Sequence, residues 1–281
     1  MYISIDFEDF FHDLKRGLGL WETGPIKVKE LWEKYNNINE FLKTHGKNKG
    51  KYATFFCTGV LAEKEPQLIQ QISKDGHEIA CHYFYHDVVQ REDNATLYKM
   101  LCKAKESLEK VSEKPVKGFR APYFLINKDN PEQYKLVEKV FEYDSSFHCG
   151  SLRDCEIFKK RMRLETLKII PLYSLKAFGR SLKLGGTYLK LFPATYTNIM
   201  FQNSINAGLE PHVYLHPYEF DNATNLKVDF QELLPLGRRK AIYWLFRQNQ
   251  WLSFRNNSTK GKLISLIKKS ELKGTLENII F

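Results

Sequence analysis

Asp6, Glu8 and Asp9 crowd the end of an apolar opening stretch, Met1-Tyr2-Ile3-Ser4-Ile5, which reads as a core strand. Carboxylates without partners are costly to bury at such a place. Farther along, His82 and His86 stand in the pattern H-x-x-x-H. On a helical turn that spacing puts both imidazoles on one face, where a single cation can take both. Two imidazoles and one carboxylate make a ligand set with positions left for water and substrate, which is catalytic rather than structural in character. Asp6 and Glu8 alternate along a strand and so face the same side. One can ligate the cation while the other accepts a proton from water. Asp9 is accounted for as the N-cap of a following helix. Ser145 and Ser146 lack the G-x-S-x-G surroundings of an activated nucleophile.

The elements that must carry these groups alternate between strand and helix. Strands are predicted at 2–6, 52–59, 77–82, 116–122, 143–147 and 212–221, and helices at 27–44, 61–75, 94–112, 130–141 and 195–208. Gly76 ends the second helix and Pro131 opens the fourth. This order predicts an α/β fold with parallel strands and covering helices. The runs "KIIPLYSL" and "LKLGGTYLKLFP" predict an antiparallel addition around 168–192, centred on Gly185-Gly186. A basic helical extension with Trp244, Phe246, Trp251 and Phe254 follows from about 236. One domain over 1–281 fits this length. In parallel α/β folds ligands bind at the C-terminal ends of strands. Four predicted strand ends carry polar groups: Asp6-Phe7-Glu8-Asp9, then His82 and His86, then Arg120-Ala121-Pro122-Tyr123, then His216-Pro217.

The ordered set D-x-E-D, G-H-E-I-x-x-H-x-x-x-H, F-R-A-P-Y, Y-D-S-S and L-H-P resembles the polysaccharide deacetylases, the NodB-homology domains of carbohydrate esterase family 4. It resembles most the exopolysaccharide and surface-glycan branch, with "GGTYLKL" at 185–191 and "HPYEFD" at 216–221. The resemblance spans about residues 3–221. It implies a distorted (β/α) barrel with fewer than eight regular units, a divalent cation, usually Zn2+, and hydrolysis of an N-acetyl group on an amino sugar. His82, His86 and Glu8 would be the metal ligands, with Asp9 the ligand in a second register. Asp6 would be the general base and Arg120 its ion-pair partner. The Tyr123 N–H would hold the oxyanion, and His216 would be the general acid. Leu215 would line the pocket for the acetyl methyl, and Asp144 would tether Arg120 or a ligand. O-acetyl ester or cyclic-amide hydrolysis on the same fold, or glycan binding at a dead site, are the alternatives. His77 reads as a strand-start packing residue, and His12, His45, His148 and His212 gain no role.

Forty-three Lys and Arg against 33 Asp and Glu give a net charge of +10. No stacking or groove-reading motif accompanies that charge, so nucleic acid is not expected as a partner. An anionic membrane surface or an acidic substrate remains compatible with it. Five cysteines without a C-x-x-C pair read as reduced thiols. Together with an acidic strand where a secretory signal would start, they lead to an expected cytoplasmic location, in contact with the inner face of the membrane. The expected substrate is an N-acetylated glycan precursor, lipid- or nucleotide-linked.

Overall fold

The computed structural model describes residues 1–20, 27–177 and 179–279. Ten strands are present among them: β1 (Tyr2–Phe7), β2 (Thr54–Cys57), β3 (Glu78–Cys81), β4 (Gly118–Phe119), β5 (Tyr143–Asp144), β6 (His148–Cys149), β7 (Lys168–Ile169), β8 (Leu172–Ala177), β9 (Arg180–Lys183) and β10 (His212–Leu215). Seven form one parallel sheet in the order β10-β1-β2-β3-β4-β5-β7. The sheet is curled into an open barrel. The Arg120 side chain, just past β4, reaches Ser4 of β1 across the interior, and Tyr143 of β5 reaches Glu78 of β3.

Period-two alternation sorts every strand into an outer and an inner face. Ile3, Ile5 and Phe7 point outward into the main core, against Leu31, Tyr35, Ile38 and Leu42 of the helix Val28–His45. Edge-to-face contacts of Phe55 with Phe7 at 5.7 Å and with Tyr35 at 5.9 Å knit this layer. Inward positions are mostly polar near the strands' C-terminal ends and aromatic near their beginnings. Tyr2, Phe56, Ala80, Tyr143 and Ile170 fill the lower interior, and Leu276 and Ile279 of the last segment close it. Gly118 lets the Tyr143 ring cross here, because a Cβ would stand 2.0 Å from its Cζ.

A carboxyl group sits in this lower interior. Glu78 accepts from Thr54 Oγ1 at 2.5 Å, from Tyr143 Oη at 2.7 Å and from the Glu277 N–H at 3.2 Å. Burial nevertheless raises it to about 7. The native state therefore binds this proton more tightly than the unfolded chain, whose Glu titrates near 4.3. Stability falls as pH rises from about 4.5 to about 7 and stays reduced above that. Glu78→Gln is expected to flatten this slope and to raise the melting temperature at pH 8. Thermal melts of both proteins across pH 4–8 check it, and parallel curves would refute it.

Several elements depart from the expectations. The helix expected over 61–75 is two, Gly59–Lys64 and Pro66–Lys74, because Pro66 cannot continue the first. A further helix, Leu152–Arg161, was not expected. In the 168–192 region β7 belongs to the parallel sheet, and the antiparallel pair is β8 with β9. Residue 178, between them, lies outside the described residues. Gly185 and Gly186 open a short helix, Gly186–Leu191, instead of turning a hairpin. Both have positive φ, and any Cβ there would collide with Tyr214. The C-terminal region forms the helices Arg238–Leu252 and Ser258–Lys269. It is integral to the fold: Leu263 and Leu266 join the main core, and Lys190 Nζ donates to Gln250 O at 2.8 Å and Asn256 Oδ1 at 3.0 Å. Among the described residues no helix is long and apolar enough to cross a membrane.

Candidate active site

The inner-face residues at the C-terminal ends of β1, β3 and β10 converge on a cavity of about 430 Å³. Asp6 and Glu8 reach it from β1 and its exit, His82 and His86 from the loop after β3, and His216 from the end of β10.

Glu8, His82 and His86 each offer a ligand atom, all within 4.8 Å of one another, and all three residues are buried. Glu8 Oε2 lies 2.6 Å from His86 Nε2 and 3.7 Å from His82 Nε2. At 2.6 Å it still lacks a regular hydrogen-bond partner among the described residues. That is the arrangement expected when lone pairs point at a common third centre. His82 Nδ1 is 2.8 Å from the Arg120 carbonyl, which fixes Nδ1 as the protonated nitrogen and frees Nε2 to ligate. Burial pulls His82 down to about 4, so the ring is neutral, the form in which an imidazole can ligate a cation. Burial alone would raise Glu8, but the facing imidazoles of His86, His216 and His82 hold it at about 2. Burial also works against a charged His86, and Glu8 outweighs it, so that ring is raised. Two imidazoles and a carboxylate, dehydrated and convergent, fit a divalent cation with zinc-like preferences. Asp9 takes no part. Its carboxylate accepts from the Phe11 N–H at 3.0 Å and the Lys27 N–H at 2.9 Å, and caps the helix Phe10–Gly17.

Asp6 is ion-paired to Arg120, which is fully buried. The guanidinium also donates to Ser4 Oγ at 2.9 Å, Ser145 Oγ at 2.9 Å and Ser145 O at 3.2 Å, and it lies over the Phe56 ring at 4.0 Å. Ser4 Oγ is in turn 2.7 Å from His212 Nε2. Arg120 is thus held on four sides and orients one oxygen of Asp6.

Across the cavity, His216 Nε2 stands 4.0 Å from Glu8 Oε1. Its Nδ1 is 2.8 Å from Glu219 Oε2, which also accepts the His216 backbone N–H at 3.1 Å in a capping box. Burial opposes charge on this ring, but Glu219 outweighs it and raises His216 to about 9. The ring therefore carries a proton at neutral pH. Tyr123 lies at the rim, half exposed, with its ring 4.4 Å from that of His86. Its backbone is left-handed, with φ of 56°. The Phe124 and Leu125 N–H groups bond back to Ala121 and Pro122, while the Tyr123 N–H has no partner among the described residues.

Arg120 stands behind Asp6 rather than in the wall, and two further expected residues are turned away from the cavity. Leu215 is 1% exposed and packs in the outer core, while Tyr214 and His216 on either side of it face the cavity. Asp144 also belongs to the outer register. It accepts from Ser146 Oγ at 2.6 Å and Ser146 N at 2.9 Å, not from Arg120. Ser146 Oγ then accepts the Ala121 N–H at 2.8 Å, so Asp144 braces the Arg120–Tyr123 turn from behind. Other wall residues were not foreseen as part of the site: Asp13, Lys183, Tyr218, Trp244 and Trp251. Glu219 had a readable signal, the His-x-x-Glu spacing of a capping box. The tryptophans had none, because only the tertiary fold brings the helix Arg238–Leu252 over the cavity.

Residues 23–138 match the polysaccharide deacetylase family model, and residues 149–270 match a model described as a domain of unknown function, DUF3473. His82, His86 and Arg120 fall in the first match and His216 in the second. Over 38% of its length the chain is 27% identical to a peptidoglycan N-acetylmuramic acid deacetylase of Bacillus subtilis, spanning 22% of that protein. Over 27% of its length it is 33% identical to a peptidoglycan N-acetylglucosamine deacetylase of Bacillus cereus, spanning 35% of that protein. Each match thus takes in well under half of the curated relative. A solved structure of a candidate polysaccharide deacetylase from Mycobacterium smegmatis has the same fold, with a TM-score of 0.55 and 17% identity over 97% of this chain and 92% of that one. The chain is thus similar to polysaccharide deacetylases over residues 23–138, and it shares the fold of the Mycobacterium smegmatis structure along nearly its whole length.

Proposed function

We propose that this protein is a metal-dependent hydrolase that removes the N-acetyl group from an amino sugar of a glycan or glycan precursor. The observation that carries this reading is the convergence of Glu8, His82 and His86 between an ion-paired Asp6 and a Glu219-held His216. Glu8, His82 and His86 would hold a divalent cation, zinc before others by their chemistry. Such a cation, when bound, supplies Lewis acidity toward a carbonyl oxygen and toward water. Asp6, aimed by Arg120, accepts the proton of the attacking water. The Tyr123 N–H donates to the carbonyl oxygen as it gains charge. His216 Nε2 delivers its proton to the departing sugar nitrogen, while Glu219 keeps the ring oriented and charged. Water's oxygen ends in acetate and the sugar keeps a free amine. Trp244 and Trp251 offer flat apolar walls suited to a sugar ring.

The test couples metal analysis of the purified protein to acetate release from N-acetylated nucleotide sugars, lipid-linked glycans and chitin oligosaccharides. Near-stoichiometric metal and acetate from at least one substrate are expected. Absence of both after zinc reconstitution would refute the reading.

We further propose, from the resemblance carried by the D-x-E-D motif, a role in surface polysaccharide synthesis at the cytoplasmic face of a membrane. All five cysteines are free thiols, which suits a reducing compartment. Beside the cavity wall, Ile242, Tyr243 and Phe246 are each more than half exposed on the helix Arg238–Leu252. Arg238, Arg239 and Lys240 precede them, also exposed. Apolar side chains bordered by cations suit peripheral binding to anionic lipid. The full chain is expected to pellet with phosphatidylglycerol vesicles at low salt, less so at high salt, and less so as Ile242→Ser/Phe246→Ser. Equal pelleting of both proteins would remove the membrane contact.

A further inference from the structure

Lys183 is a cation at the cavity wall that the proposed chemistry does not use. It ends β9, the edge strand of the small second sheet, and lines the same cavity as Asp6, His216 and Tyr123. Its ammonium sits 4.8 Å from the centre of the Phe124 ring. Among the described residues its side chain has no hydrogen bond and no ion pair. The cavity's carboxylates are engaged elsewhere: Asp6 with Arg120, Glu8 with the imidazoles, and Asp13 with His12. Burial lowers Lys183 to about 8, and Lys128 lowers it too, against a smaller upward pull from Asp6. His148, also packed on Phe124 at 4.4 Å, adds a buried Nε2 with no partner. A half-desolvated, unpaired ammonium is destabilising. Holding one beside a reaction site is explained when a ligand supplies the missing anion.

We propose that Lys183 is the recognition point for an anionic oxygen group, carboxylate or phosphate, carried by the substrate sugar next to its N-acetyl group. The inference rests on the deacetylase reading for the placement of that sugar and adds the chemical class of the substrate: an acidic amino-sugar glycan rather than a neutral one. With a divalent cation bound at Glu8, His82 and His86, the cavity would hold little net negative charge to oppose such a group. Lys183 is not required for proton transfer in this scheme, so its removal should act on binding.

Binding is followed by quenching of tryptophan fluorescence, since Trp244 and Trp251 line the cavity. The probes are neutral chitin oligosaccharides and their randomly carboxymethylated and phosphorylated derivatives of equal length, added to the zinc-reconstituted full chain. A derivative carrying the right anion should bind roughly tenfold more tightly than the neutral form, as one charge-assisted hydrogen bond allows, and the difference should shrink with salt. Comparison of the two derivatives identifies the anion. Lys183→Met should erase the difference while leaving the neutral Kd within about twofold, and Lys183→Arg should keep it. Equal affinity of the wild type for all probes, equal weakening of all by Lys183→Met, or no measurable binding of any would overturn the inference. Acetate release is measured on the same samples. Charge-dependent binding without acetate from any of these probes or from the nucleotide sugars and lipid-linked glycans would sink the deacetylase reading and leave the anion subsite standing.

Discussion

Asparagine in place of Asp6 lowers turnover by roughly 10²–10⁴-fold, the usual contribution of a positioned general base, and leaves the metal content unchanged. The shape of the side chain is conserved, and the proposed metal-binding group is Glu8, His82 and His86. What is lost is the carboxylate that Arg120 orients toward the cavity. Steady-state acetate release and metal analysis on the same preparation check both halves. Turnover near wild type would remove Asp6 as the base. Loss of metal along with activity would instead make it a ligand.

Leucine in place of Arg120 is expected to cost about 3–5 kcal/mol of stability, the penalty for removing one partner of a buried ion pair. The figure follows from position rather than from charge alone. Arg120 is fully enclosed and binds Asp6, Ser4 and Ser145 together, so its loss strands a buried carboxylate and several oxygen acceptors. Urea unfolding of Arg120→Leu and of Asp6→Asn/Arg120→Leu measures it, and the double variant should regain part of the loss because the stranded charge is gone. A cost below about 1 kcal/mol would place the pair in the class of surface ion pairs, contrary to its burial.

The strand alternation that made Asp6 and Glu8 legible also explains the two misplacements. Ser4, Asp6 and Glu8 share one face of β1 and its exit, and Tyr214 and His216 share the matching face of β10. Leu215 and Asp144 are each one position out of that register, and a shift of one residue sends a side chain to the outer core. Strands and helices whose borders are marked by local residues, such as Asn94–Ser112 with its Asp93 cap, were readable. Gly185-Gly186 was misread because its backbone is shaped by the Tyr214 ring, a partner distant in the chain. The walls from Lys183, Trp244 and Trp251 were hidden for the same reason.

The position of β1 between β2 and β10 sets an order of assembly. Its Ser4 pairs with Thr54 on one edge and with Tyr214 on the other. A chain emerging from the ribosome has Glu8, His82 and His86 once residue 86 is out, yet His216 arrives about 130 residues later, and non-local pairings of that span form slowly. On the proposed roles, a half-made chain holds all three candidate ligands without the proton donor, so metal capture and catalytic competence would be separate events in the maturation of the protein.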